Sequence, residues 1–205
     1  MDIVLIHGMG RTPASMLILK RRLAKLGHKT HLFGYAAFAE NLEGVSTRLV
    51  RRIERLVGVR PYAVIGHSLG SVILRRALAG LAANPPGHCF FLAPPMCACK
   101  AARHFSRFRL YRALTGEMGS LLADEAFMQS LPLPPNTVIY AGTAGPRANW
   151  LPFGNQANDG ILAFDEMASE GCEQIAVAAS HTFIMNSRAV LDDIERRLAS
   201  LQPAA

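Results

Sequence analysis

Hydrophobic and polar positions along the chain form two kinds of pattern that alternate several times. Short apolar segments rich in β-branched residues predict strands, and the segments between them carry apolar residues three or four positions apart, which predicts amphipathic helices. Val45, Leu49 and Ile53, for example, form one face of such a helix. Repeated units of this kind are typical of a parallel sheet covered by helices. The predicted strands span residues 2–6, 29–34, 62–66, 88–93, 137–142 and 173–178.

Start and stop signals bound the first and last helices. Thr12 and Pro13 are typical of an N-cap and a first helical residue, and Gly27 is typical of a helix stop. Ser187 precedes the apolar periodicity of the last helix. We therefore predict one α/β domain over residues 1–205, a three-layer sandwich with a mostly parallel six-stranded sheet between helices.

Two intervals interrupt the alternation of strands and helices. Residues 94–136 have proline at both ends and helical material between, and residues 143–160 are rich in Gly, Pro and Asn. We interpret both as excursions from the carboxyl edge of the sheet, where open α/β sheets bind ligands. The first is a possible cap insertion.

The segment ACKAARHFSRFRLYRALTG within the first excursion predicts a helix that places Phe105 and Phe108 near one face, with Ala101 and Leu114, and most of its arginines elsewhere. Two interpretations stay open. In one, the helix caps a site at the sheet edge, and Phe105 and Phe108 line a pocket for an acyl chain. In the other, it is an ordinary helix that buries both rings in the core.

Composition narrows the classes of partner. Lys and Arg number 22 against 15 Asp and Glu, a net charge of +7, but the arginines are dispersed over several predicted helices, as on solvated faces. This distribution argues against nucleic-acid binding. No stretch approaches the roughly 20 apolar residues of a membrane span. The first apolar run lacks a basic leader, and the four cysteines show no C-x-x-C spacing, so we expect reduced thiols, no metal site and a cytoplasmic location.

The candidate chemistry begins at Ser68 in the stretch YAVIGHSLGS. A G-x-S-x-G pattern between a strand and a helix is typical of a nucleophile elbow, whose glycines relieve crowding around a strained turn. The alternative is a glycine-rich turn whose serine only caps the helix. A nucleophilic serine needs a base and a group that orients the base, so the two interpretations differ in whether those partners exist.

A histidine and an acid follow later in the chain. His181 lies after the last predicted strand and before the last helix, at the same sheet edge as Ser68. Asp159 precedes it and gives the chain order Ser, Asp, His that this motif shows. Asn-Asp-Gly is also a turn signal in its own right, and Asp165 is the main competitor for the acid.

Backbone donors for a developing oxyanion are the remaining requirement. The first predicted strand ends in His7-Gly8-Met9-Gly10, whose glycines would let the chain turn beneath a substrate. We predict the N–H groups of Met9 and of Leu69, the residue after Ser68, as the donors. An isolated glycine turn is the alternative for this stretch.

The stretches VLIHGMG, IGHSLGS, NDGIL and SHTFIM together resemble the α/β-hydrolases, in particular the minimal six-stranded lipases and esterases, in order and spacing over nearly the whole chain. The resemblance implies strand order 2-1-3-4-5-6, a Ser68–His181–Asp159 triad, and Met9 and Leu69 as oxyanion donors. The excursion at 94–136 departs from the smallest lipases, which lack a lid.

The function expected from these residues is hydrolysis of a carboxylic ester, a small-molecule or lipid-like substrate, through an acyl-enzyme on Ser68. No metal or organic cofactor is required. Thioester or amide hydrolysis would use the same residues, and a non-catalytic binding protein of this fold is the alternative from another class. The sequence does not indicate the oligomeric state.

Overall fold

The computed structural model of the protein describes residues 1–149 and 153–200, so residues 150–152 of the second excursion and the last five residues of the predicted domain lie outside the described part. Each predicted strand is present, and the six form one sheet of order β2-β1-β3-β4-β5-β6 in which every pair is parallel. The predicted strand order is confirmed. The strands are β1 (Asp2–Ile6), β2 (Lys29–Phe33), β3 (Tyr62–His67), β4 (His88–Leu92), β5 (Thr137–Gly142) and β6 (Glu173–Val177).

The helices also follow the predicted order. The first begins with a 3-10 turn at Pro13–Met16, and Gly27, with φ 83°, follows its end as the stop signal indicated. Asn41 caps the second by accepting a hydrogen bond from the Gly44 N–H. The α-helices are α1 (Leu17–Lys25), α2 (Leu42–Val57), α3 (Leu69–Ala77), α4 (Lys100–Phe105), α5 (Arg109–Leu121), α6 (Glu125–Ser130) and α7 (Arg188–Ser200).

The strand order determines where a crevice forms. The chain moves from β1 to β2 in one direction and then returns past β1 to β3 and continues the other way. Right-handed crossovers therefore place α1 on one face of the sheet and α2 and α3 on the other. The strand order reverses beside β1, and a ligand crevice is expected at the carboxyl ends of β1 and β3.

The core lies on both faces of the central strands. Every residue of β1, β3 and β5 is buried, which a strand achieves only when both of its faces are covered. Helices α2 and α3 pack against each other, as do α1 and α7. The carboxyl ends of β1 and β3 are thus supported from both sides.

The first excursion differs from the predicted single helix. The chain breaks between α4 and α5, where Phe108 caps the second helix in an extended conformation. Gly116 interrupts α5 with a φ of 60°. Glycine is needed at this position because a Cβ would lie 2.6 Å from the Ala37 carbonyl oxygen of a neighbouring loop. Phe105 is 44% exposed and Phe108 48%, so the interpretation of an ordinary helix that buries both rings is wrong.

One arginine contradicts the expectation that the arginines lie on solvated faces. Arg75 on α3 is buried and donates to the backbone carbonyls of Met128, Leu131 and Pro132. These carbonyls lie at the end of the first excursion, so Arg75 fastens the returning chain to the helix that follows Ser68. Burial lowers the pKa of its guanidinium to about 10.

The four cysteines all lie in the described part of the chain and all carry free thiols. Burial raises the pKa of each thiol. Within residues 1–149 and 153–200, no helix combines the length and the apolar character that crossing a bilayer requires.

Candidate active site

Ser68 stands at the turn from β3 into α3 in a strained backbone conformation. Its φ is 49° and its ψ is −120°, values that non-glycine residues rarely adopt. A Cβ at Gly66 would lie 2.8 Å from the Ser71 nitrogen, and a Cβ at Gly70 would lie 2.6 Å from the Ile6 carbonyl oxygen. Only glycine fits at either position, and Ser68 is left half-exposed at the carboxyl edge of the sheet.

His181 reaches Ser68 from the loop between β6 and α7. Its Nε2 lies 3.0 Å from the Ser68 Oγ, and the residue is buried. The His181 backbone N–H donates to the Asp159 carbonyl at 2.8 Å. This backbone hydrogen bond links the loop that follows β5 to the loop that follows β6.

Asp159 supplies the third member of the chain of contacts. Its Oδ2 lies 2.6 Å from the His181 Nδ1, and its Oδ1 accepts hydrogen bonds from the N–H groups of Ile161 and Leu162 at 2.9 and 2.7 Å. The carboxylate is buried. The turn signal of Asn-Asp-Gly and the acid prediction are therefore compatible, because the turn supplies the two N–H groups that hold the carboxylate.

Asp165, the competing acid, is elsewhere. Its side chain is 64% exposed, and it lies 3.6 Å from the Lys100 ammonium in a 3-10 turn. The structure brings Asp159, and not Asp165, to His181.

These contacts fix where the protons lie. An ionised carboxylate only accepts hydrogen bonds, so the His181 Nδ1 carries the proton that it donates to Asp159. The Nε2 lone pair then faces the Ser68 hydroxyl, which donates to it. This arrangement can take the hydroxyl proton as the oxygen attacks an electrophile.

Of the two predicted oxyanion donors, Leu69 directly follows Ser68 at the start of α3, and Met9 lies in the loop that follows β1. Within the described residues, the N–H groups of Met9 and Leu69 donate to no acceptor. Met9 and Ser68 line the same cavity. The assignment of these two N–H groups as oxyanion donors stays a prediction.

Sequence reasoning missed the residue that holds the loop before Met9. Tyr35 follows β2 and stacks on the His7 ring with 4.4 Å between ring centroids. Its hydroxyl donates to the His7 carbonyl at 3.0 Å. The position of Tyr35 just after a strand, at the carboxyl edge, is the signal that could have identified it.

His67 supports the site from beneath. It is 2% exposed, and its Nε2 donates to the His181 carbonyl at 3.0 Å. Burial, and next the nearby His181 and Arg11, lower the pKa of His67 well below its usual value. His67 is therefore neutral, and it ties the residue before the serine to the loop that carries His181.

A cavity of about 480 Å³ opens above Ser68 and His181. Phe105 lines it, as the cap interpretation predicts, but Phe108 does not and instead lies behind Phe105, 6.4 Å away between ring centroids. Tyr111 and Leu122 of the same excursion line it without having been predicted. The volume suits a small organic ligand, and the walls are mostly apolar.

A metal ion has no evident site in the described ranges. Within residues 1–149 and 153–200, no group of three or more His, Cys, Asp and Glu side chains is arranged to hold one.

Comparisons with known proteins give structural likeness only. No protein-family model and no curated protein matches the sequence. The chain is similar in structure to lipase BlEst2 of Bacillus licheniformis in its mature form, with 15% identity over 96% of this chain and 91% of that one and a TM-score of 0.69. It is also similar to the metagenomic carboxyl esterase MGS0156, with 19% identity over 98% and 76% of the chains and a TM-score of 0.70.

A third likeness is to RedJ, a thioesterase of the prodiginine biosynthetic pathway in Streptomyces coelicolor, with 13% identity over 97% and 84% of the chains and a TM-score of 0.59. Each of the three structural similarities covers nearly the whole length of this chain. Together with the parallel sheet of order 2-1-3-4-5-6, these likenesses show that the chain has the α/β-hydrolase fold.

Proposed function

We propose that the protein is a serine hydrolase that cleaves carboxylic esters. The observation that carries the proposal is the hydrogen-bonded series from Asp159 through His181 to Ser68, which ends at an apolar cavity. A serine that only caps a helix would need neither a base nor an acid behind it. In addition, its side chain makes no capping hydrogen bond to α3.

The proposed reaction has two halves. Ser68 Oγ attacks the acyl carbon and passes its proton to the His181 Nε2, while the Asp159 carboxylate stabilises the imidazolium. The N–H groups of Met9 and Leu69 receive the oxygen that becomes negative. His181 then protonates the leaving alcohol, and water activated by the same imidazole frees the acid from Ser68.

Thioesters are a second candidate class of substrate. The attack on the acyl carbon is the same, and the likeness to the thioesterase RedJ favours keeping this class in the test. The proposal requires no metal or organic cofactor for either substrate. A cytosolic location stays a prediction from the cysteine pattern.

Turnover of para-nitrophenyl esters of increasing acyl length, with matched thioesters, tests the proposal. We expect activity that falls by about 10⁴-fold or more in Ser68→Ala, because the nucleophile is removed. Ser130→Ala is the matched control, since Ser130 is exposed on α6 and does not line the cavity. Equal activity in wild type and Ser68→Ala would refute the assignment, and no activity on any ester or thioester would favour a binding protein.

A further inference from the structure

One charged side chain in the cavity has no role in the proposed reaction. Among the described residues that line the cavity, Arg11 is the only one with a full charge. It lies two positions after Met9, and its backbone N–H donates to the Gly8 carbonyl at 3.3 Å in the turn that follows β1. The guanidinium is therefore carried by the same turn that carries a proposed oxyanion donor.

The other arginines that are withdrawn from solvent all have oxygen partners. Arg22 pairs with Asp192 and Glu195, and Arg197 pairs with Asp193 and Glu173. Arg76 pairs with Glu43, and the buried Arg75 donates to three backbone carbonyls.

Arg11 is the exception in this group. It is half-buried, and within residues 1–149 and 153–200 its guanidinium has neither a carboxylate within ion-pair distance nor a carbonyl acceptor. Withdrawing a guanidinium from water without a partner costs free energy. A binding site for an anion offsets that cost when the ligand arrives, because the planar guanidinium forms paired, charge-assisted hydrogen bonds to a carboxylate or phosphate.

The electrostatic surroundings agree with this geometry. Burial is the main cause that lowers the pKa of His7 and His67; His181 contributes next at His67, and the positive charge of Arg11 adds a smaller contribution at both. Arg11 therefore lies close enough to interact electrostatically with His7, next to Gly8, and with His67, next to Ser68. The acid of the site, Asp159, is buried on the far side of His181 and already holds three hydrogen bonds.

We propose that Arg11 binds an anionic group of the substrate, a carboxylate or a phosphate, so that the site hydrolyses esters or thioesters that carry a negative charge. This inference rests on the proposed function for its catalytic step, but not for its binding step. The apolar walls hold the carbon skeleton, and Arg11 fixes one charged end relative to Ser68.

Two pairs of matched substrates test the proposal. The first pair compares mono-para-nitrophenyl glutarate with the neutral ester in which an isopropyl group replaces the free carboxylate. The second pair moves the charge to the leaving group and compares para-acetoxybenzoate with para-isopropylphenyl acetate. The quantity measured is the ratio of kcat/KM between the anionic and the neutral member of each pair.

We expect Arg11→Met to lower this ratio by about 10-fold to 100-fold in at least one pair, because a charge-assisted contact is lost. The pair that responds identifies the side of the scissile bond that Arg11 faces. Arg11→Lys should lower the ratio less, since the charge remains but the planar fork is lost. Arg51→Met, on the exposed face of α2, is the control and should leave both ratios unchanged.

A binding measurement separates this inference from the proposed function. Two proteins are titrated calorimetrically with glutarate and with inorganic phosphate: the single variant Ser68→Ala and the double variant that also carries Arg11→Met. Binding of either anion that weakens at least 10-fold without Arg11 supports the inference even if Ser68 proves not to be the nucleophile, and the anion that binds distinguishes a carboxylate from a phosphate. The inference is overturned if neither the kcat/KM ratio of either substrate pair nor the binding of either anion depends on Arg11, whether or not Ser68 proves to be the nucleophile.

Discussion

The sheet edge and the excursion at 94–136 face each other across one cavity, but they are built differently. At the edge, Asp159 and His181 are buried and each is held by backbone hydrogen bonds, while Ser68 is held by a strained turn packed against β1. In the excursion, four large apolar side chains are exposed: Phe105, Phe108, Leu110 and Leu114. In the proposed function the edge carries the chemistry and the excursion shapes the ligand site, and the difference in packing predicts that the edge tolerates less change than the excursion.

The largest expected effect is at the edge. Asp159→Asn should lower kcat by about 10⁴-fold, because an amide in place of the carboxylate no longer fixes the protonated Nδ1 of His181 or stabilises its charge. Asp165→Asn is the matched control and should change kcat by less than about threefold, since its exposed carboxylate contacts Lys100 instead. The reverse ranking would assign the acid to Asp165 and contradict the geometry.

The second expected effect concerns the packing of the edge. In Gly70→Ala, the added Cβ would lie only 2.6 Å from the Ile6 carbonyl oxygen and 2.8 Å from the His7 carbonyl oxygen, so the backbone must move. We expect a loss of roughly 1–3 kcal/mol in the free energy of unfolding, measured by urea denaturation. At Gly87 the nearest atom would be 3.6 Å from an added Cβ, so Gly87→Ala should be near neutral. Equal losses would mean that the close contact at Gly70 does not govern stability.

The third effect follows from the neutral histidine beneath the serine. The folded pKa of His67 lies below its unfolded value of about 6.5, so the unfolded state binds more protons below that pH. The stabilisation is complete above about pH 6.5 and is lost as the pH falls below it, by at most about 1.4 kcal/mol per pH unit. His67→Gln should reduce this slope in urea denaturation at stepped pH, and His104→Gln, on an exposed side chain, should not.

The smallest effect is expected in the excursion. Phe105→Ala should cost less than the roughly 3–5 kcal/mol of a buried Phe, because the ring is half-exposed. It should instead lower the kcat/KM of long acyl esters relative to short ones by about threefold to tenfold, through lost apolar contact. Phe108→Ala is the control, because that ring does not line the cavity. A large loss of stability with unchanged acyl preference in Phe105→Ala would contradict the distinction between the two regions.

The sequence predicted the sheet and the residues at its edge because both depend on local signals. Short continuous apolar segments define the strands, and a parallel sheet brings the residues after each strand to one edge. Ser68 and His181 come shortly after the ends of β3 and β6, whereas Asp159 lies far beyond the end of β5 and is marked by its Asn-Asp-Gly turn.

The excursion could not be predicted to the same depth because its helices end for non-local reasons. Gly116 bends α5 where the Ala37 carbonyl approaches, and Arg75 holds the returning chain from another element. Neither contact leaves a periodic signal within the segment. For the same reason Phe105 and Phe108 share a face in the sequence pattern, but only Phe105 lines the cavity.

Arg11 and Tyr35 show a further limit. Tyr35 contacts the turn after β1 from outside, and Arg11 lies in that turn and lines the cavity. Neither residue belongs to a motif that distinguishes it from a surface position. Their roles depend on what surrounds them, which the sequence pattern does not give.

The central claim is that Ser68 is a nucleophile activated by His181 and Asp159, and labelling with a fluorophosphonate tests it most directly. The reagent forms a bond only to an activated hydroxyl, so intact mass and peptide mapping report both the reaction and its position. We predict one adduct per chain, located on Ser68, absent in Ser68→Ala and formed far more slowly in His181→Gln. Wild-type protein that stays unlabelled while folded, or an adduct on another serine, would contradict the account.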